Sequence, residues 1–166
     1  MKVIMDADSL IKLTKAKAKE IVTKNIEAYI PPKVFEETVE IPKEEGYADA
    51  FLIEENLEKG LLAIKKFEED KEAEAMIGRL KIRGGEADVF RLYKSGDFDA
   101  VSSDDGKFLE ILDALDIPCM TPSALIVYLF KKDVLSREDA ENYIKNLKEM
   151  ISDEEYYLAI GEVEEK

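Results

Sequence analysis

The feature that most constrains this chain is its alternation of short β-rich apolar runs with segments of helical spacing. The runs fall at residues 3–6, 28–31, 61–64, 99–102 and 119–120, and their apolar and β-branched content predicts strands. Each is followed by a helix signal. Ser9 or Asp8 can cap a helix through Leu10, Ile11 and Leu13, and Pro32 suits the first turn of a helix through Val34, Phe35 and Val39. Residues 46–59 repeat Tyr47, Ala50, Phe51 and Leu57 at helical spacing, and Gly60 ends them. Residues 73–80 read as a helix, Gly84 and Gly85 break it, and 86–93 resume with Ala87, Phe90 and Leu92 facing inward. Ser103 or Asp104 caps a helix carrying Phe108, Leu112 and Leu115; Thr121 and Pro122 form a cap-and-first-turn pair; Ser136 begins a last amphipathic helix with Asp139 at the third position of its capping box.

Strands that alternate with helices imply a mainly parallel sheet with helices on both faces. The expected fold is one three-layer α/β/α domain around about five strands. A chain of 166 residues can bury such a core without disulfides or metal staples. The domain is expected over residues 1–151, with 152–166 as a partly ordered acidic tail.

Several chemistries are excluded at once. The sequence contains no histidine and one cysteine, Cys119, so neither a Ser-His-Asp arrangement nor a zinc site of the usual Cys and His ligands can be built. Catalysis must use carboxylates, lysines, hydroxyls or a metal. No apolar run approaches the roughly 18 residues of a membrane span, and nothing at the start reads as a signal peptide, so a soluble, cytoplasmic protein is expected. The formal net charge of −14 argues against a broad electrostatic grip on nucleic acid. The charge is uneven: residues 36–58 hold nine acids and one lysine, whereas 12–24 hold five lysines and one acid. A second basic stretch is Arg79, Lys81 and Arg83.

In a parallel sheet the ligand site lies beyond the carboxyl ends of the strands, where the strand order reverses. Asp6 ends the first strand and Asp104 follows the fourth. Glu37 lies about one turn into the helix after the second strand, and Glu86 starts a helix behind the glycine pair. The four acids can therefore meet over one edge. Oxygen ligands suit Mg²⁺ or Mn²⁺, which activates water for attack on a phosphodiester without a histidine. Helix capping by Asp104 or Asp8 and simple surface exposure of Glu37 are the alternatives. Glu36 adjoins Glu37, and either one can be the second acid.

The words VIMDADSLIKL, IPPKVFEETV, GGEADVFRLYKSGDFDAVSSDDGKF and IPCMTPSALI resemble the PIN domain family over about residues 3–130. The resemblance implies a 3-2-1-4-5 strand order and Mg²⁺- or Mn²⁺-dependent cleavage of single-stranded RNA by activated water. Carried over residue by residue, it implies catalytic and metal roles for Asp6, Glu37, Glu86 and Asp104, with Asp105 and Asp88 as auxiliaries and Ser9 or Ser103 orienting the site. Lys12, Lys15, Lys17 and Lys19, which directly follow Asp6 in the chain, are the expected substrate path. A role as a toxin with a neutralising protein partner or antitoxin is within the family's range, and the apolar helix near residues 125–130 is a candidate homodimer face.

Two other functions compete. A catalytically inactive PIN-fold subunit that binds RNA or protein would explain the acidic surface but would not need all four acids. A haloacid-dehalogenase-type phosphatase is suggested by Asp6-Ala-Asp8 after a strand. Against it, the glycine that usually follows that pair is missing.

Overall fold

The computed structural model describes residues 1–165, and Lys166, the end of the expected tail, lies outside the described residues. Strands β1 (Lys2–Met5), β2 (Glu27–Ile30), β3 (Leu62–Ile64), β4 (Ala100–Ser102) and β5 (Cys119–Met120) alternate with helices α1 (Ala7–Lys15), α2 (Lys19–Asn25), α3 (Pro32–Phe35), α4 (Ile41–Glu44), α5 (Ala48–Glu58), α6 (Lys71–Leu80), α7 (Gly84–Ser95), α8 (Gly106–Ala114), α9 (Pro122–Lys131), α10 (Arg137–Leu147) and α11 (Asp153–Glu164). All four strand pairings are parallel, in the order 3-2-1-4-5. The order reverses at β1, which lies between β2 and β4.

Burial explains the strand composition. Val3, Ile4 and Met5 are wholly buried because the central strand is covered on both faces, so β1 reads as a continuous apolar run rather than an alternating one. Helix α7 packs on β1 and α5 on β3, while α1 runs against α5, α9 and α10. Phe90, Phe108, Leu10, Leu13, Ile53 and Leu125 are among the largest side chains fully removed from water.

The structure departs from the sequence expectations at several helix ends. Asp6 itself caps α1, its side chain accepting from the Ser9 amide, and Asp105 rather than Ser103 or Asp104 caps α8 by accepting from the Phe108 amide. Gly84 and Gly85 open α7 instead of forming a break outside it. A π turn (Glu36–Glu40) joins α3 to α4, and the Ile41 amide bonds back to the Glu36 carbonyl. The cause is local. Pro42 has no amide for the Thr38 carbonyl four residues before it, and its ring crowds that carbonyl, so the helix widens there.

Residues 153–164, expected to be part of a loose tail, form α11. Ser152 caps it, Asp153, Glu154 and Glu155 complement its N-terminal dipole, and Ala159 and Val163 are buried against α9 and α10. Helix α9 is apolar nearly all round because the chain itself covers it: Leu125, Ile126, Val127, Leu129 and Phe130 are all buried. The apolarity that suggested a dimer face there is spent inside the fold. Among the described residues no helix is long and apolar enough to cross a membrane.

Candidate functional site

Beyond the carboxyl ends of β1 and β4, at the switch point of the sheet, lies a cavity of about 410 Å³ lined by Asp6, Ala7, Asp8, Glu37, Arg83, Gly84, Gly85, Glu86 and Asp105. Three of the four expected acids thus share one wall system, and the fourth position is taken by Asp105 in place of Asp104.

Asp6 is the most buried, at 4 % exposure. Its Oδ1 accepts from the Ser9 amide at 2.8 Å, and the Ser103 hydroxyl also hydrogen-bonds its carboxylate. Burial raises its pKa to about 7, with the charges of Asp8 and Glu86 adding to the rise and those two hydrogen bonds opposing it. Ser9 does not face the cavity; its hydroxyl is buried against that of Ser102 at 2.5 Å and ties α1 to β4. Of the two serines, Ser103 is therefore the one whose hydroxyl acts on the acid, while Ser9 reaches it through its amide.

Glu37 comes from the π turn. Its carboxylate receives the Gly85 amide. A methyl group on Gly85 would press on that carboxylate, the movable end of its side chain, and stand 3.3 Å from Val34 Cγ2, so the glycine marks a close approach of the start of α7 to Glu37. Glu36 turns away and pairs with Lys33 at 2.9 Å, which resolves the choice of register in favour of Glu37 lining the cavity. Burial raises the pKa of Glu37, and burial followed by the charges of Asp105 and Glu37 raises that of Glu86. None of Asp6, Glu37, Glu86 or Asp105 makes an ion pair among the described residues.

Asp104 points elsewhere. Its carboxylate meets the Lys12 ammonium, which also pairs with Asp8 at 2.8 Å. Burial, then the nearby Glu155, lifts Asp104 to about 6 against the pull of Lys12. Glu155 in turn accepts from the Ser123 hydroxyl at 2.5 Å, linking this corner to α11. Asp88 is held by Arg91 at 2.7 Å and does not line the cavity.

The basic stretch after Asp6 does not form a continuous surface for substrate. Lys12 is tied between Asp8 and Asp104, and Lys19 is buried, with its ammonium against the Leu52 carbonyl. Only Lys15 and Lys17 are exposed. Lys12 is turned toward Asp8 and Asp104 by its place in α1, and Lys19, at the start of α2, is turned under α5. Arg83, exposed on the rim of the cavity, and Lys107, whose charge acts on Glu86, are cations at the site that the reading of the 12–19 stretch passed over. The sequence signal for Arg83 was its place directly before the Gly84-Gly85 pair.

The donor set is all oxygen and fits a hard divalent cation such as Mg²⁺ or Mn²⁺. Among the described residues no three acidic or cysteine side chains stand close enough to hold an ion directly. A larger, more apolar cleft of about 540 Å³ lies between α9 and α11. It is lined by Thr121, Val127, Leu158 and Glu162 among others, and it holds none of the expected acids.

A parallel 3-2-1-4-5 sheet with carboxylates gathered at its switch point defines an α/β fold of nuclease type. A sequence model described as a PIN domain matches residues 2–165, so the chain belongs to the PIN domain family. PIN domains are generally nucleases and typically use divalent metals. Membership sets aside the dehalogenase-type reading of Asp6-Ala-Asp8. No curated protein and no solved structure matches the chain.

Proposed function

We propose that the protein is a metal-dependent endoribonuclease that hydrolyses phosphodiester bonds of single-stranded RNA at the cavity formed by Asp6, Glu37, Glu86 and Asp105. The observation that carries this reading is a set of carboxylates at one cavity, buried at Asp6, half-buried at Glu37 and Glu86 and exposed at Asp105, none of which forms an ion pair among the described residues. Burying charge in this way destabilises a fold unless a counter-charge offsets it, and groups so perturbed cluster at functional sites; in a PIN domain without histidine the counter-charge is Mg²⁺ or Mn²⁺.

Such a cation would supply positive charge for the phosphate and acidify a water for attack at phosphorus. The chain's own groups provide the frame. Asp6 is oriented by the Ser9 amide at 2.8 Å, with the Ser103 hydroxyl favouring its charged form. Glu37 is fixed by the Gly85 amide from the opposite wall. Arg83 stands exposed at the mouth of an otherwise acidic cavity, where it can hold a non-bridging phosphate oxygen. Substrate recognition is thereby local, which accommodates a net charge of −14.

Labelled single-stranded RNA incubated with the protein in Mg²⁺, Mn²⁺ or chelator tests the proposal. Cleavage that needs either metal and stops with chelator is expected. Intact RNA under every condition would reject it, and RNA bound but uncut would favour an inactive PIN-fold binding subunit.

A further inference from the structure

Lys12 occupies an unusual place for a lysine. Its side chain is only 15 % exposed and its ammonium bridges two carboxylates from different parts of the chain, Asp8 in the first turn of α1 and Asp104 just past β4. Asp8 lines the acidic cavity and Asp104 precedes Asp105, which also lines it. The ammonium therefore stands behind Asp8, which is part of the cavity wall. Glu155 of α11 adds a third negative charge next to Asp104. No other lysine of the basic stretch reaches this corner: Lys15 and Lys17 are exposed, and Lys19 lies under α5.

Resting on the reading of the cavity as a metal site, we propose that Lys12 is a built-in cation: it takes the place of a second divalent ion beside Asp8 and Asp104, so the cavity binds one ion rather than two. A cluster of carboxylates needs positive charge nearby to stay ionised. Here one part of that charge is covalently attached. An ammonium is a point charge with three donors and no Lewis acidity, so it can neutralise and position Asp104 but cannot polarise a water. Chelators cannot remove it. Its second consequence is directional, because an Asp104 carboxylate held by Lys12 is not free to ligate an ion in the cavity, which leaves Asp105 on that wall. Lys12 is thus a positioning residue, acting through Asp104 and Asp8.

Calorimetric titration of the metal-free full chain with MnCl₂ reads this directly. The wild type and Lys12→Arg are expected to bind one Mn²⁺ per chain. Lys12→Met frees Asp8 and Asp104 and is expected to bind two, and Lys12→Met/Asp104→Asn should return to one. If Lys12→Met does not fold by circular dichroism, Lys12→Gln carries the same expectation, since it removes the charge that holds Asp8 and Asp104. Two ions in the wild type, or one ion in a folded Lys12→Met or Lys12→Gln, would overturn the proposal while leaving the metal reading intact. No Mn²⁺ bound by the wild type would sink both.

Discussion

Acids on the outside of this protein and acids at the strand ends are treated in opposite ways. On the helix surfaces, Glu20, Glu55 and Glu141 each have a lysine four residues on, at 2.7, 2.7 and 3.0 Å. Such i,i+4 pairs are exposed, screened and worth little. At the cavity, Asp6, Glu37 and Glu86 have no paired cation and all have raised proton affinity, led by burial. Folding therefore works against the charges it gathers there. The difference separates acids paired with lysines on a solvated surface from acids gathered without an ion pair at the strand ends.

The contrast breaks most decisively at Asp6. Asp6→Asn should reduce RNA cleavage below detection, because the amide can still accept from the Ser9 N–H and keep the α1 cap while losing the charge a cation needs. Cleavage assays with folded mutant check this, and substantial remaining activity would place Asp6 among the structural caps.

The next largest effect is on pH dependence. The folded pKa of Asp6 is about 7 against an ordinary value of 3.8, so between those values the folded state binds more protons than the unfolded state. Stability then falls as pH rises through this window. Asp104, at about 6, and the raised Glu37 and Glu86 act in the same direction. Urea melts of the metal-free protein should show a loss on the order of a few kcal/mol from pH 5 to pH 8. Asp6→Asn should flatten that slope, and a wild type more stable at pH 8 than at pH 5 would contradict the burial account.

A smaller effect is expected at the wall itself. Gly85→Ala should cost about 1 kcal/mol at most and weaken Mn²⁺ binding, since the new methyl displaces the movable Glu37 carboxylate. Unchanged Mn²⁺ affinity would show that Glu37 is not a ligand. The smallest effect belongs to the other side of the comparison: Glu20→Gln, at a solvated pair with Lys24, should leave both the melting temperature and the Mn²⁺ response unchanged.

Much of this arrangement was legible in the sequence. Five strand runs and the parallel order followed from apolar patterning and the family words, and Asp6 and Glu86 could be placed because a strand end and a glycine pair fix where they stand. The choice between Asp104 and Asp105 was not legible. It depends on the phase of α1, which turns Lys12 toward β4 and captures Asp104, while Asp105 caps α8 beside the cavity. The register of Glu36 and Glu37 depends on the π turn, whose only local cue was Pro42. Helix α11 was missed because it buries little, namely Ala159 and Val163, although Ser152 followed by three acids is a helix start that composition alone hides. In each case the local signal was present and the deciding contact was tertiary.

The central claim is that Asp6 belongs to a cation site, and Mn²⁺-induced thermal stabilisation of wild type and Asp6→Asn tests it most directly. In chelator the mutant should melt higher than the wild type at pH 8, having lost a buried charge. At a hundredfold excess of Mn²⁺ over its Kd, the wild type should gain about 3 kcal/mol and the mutant should lose most of that gain. Equal Mn²⁺-induced shifts in the two proteins would contradict the account and remove Asp6 from the site.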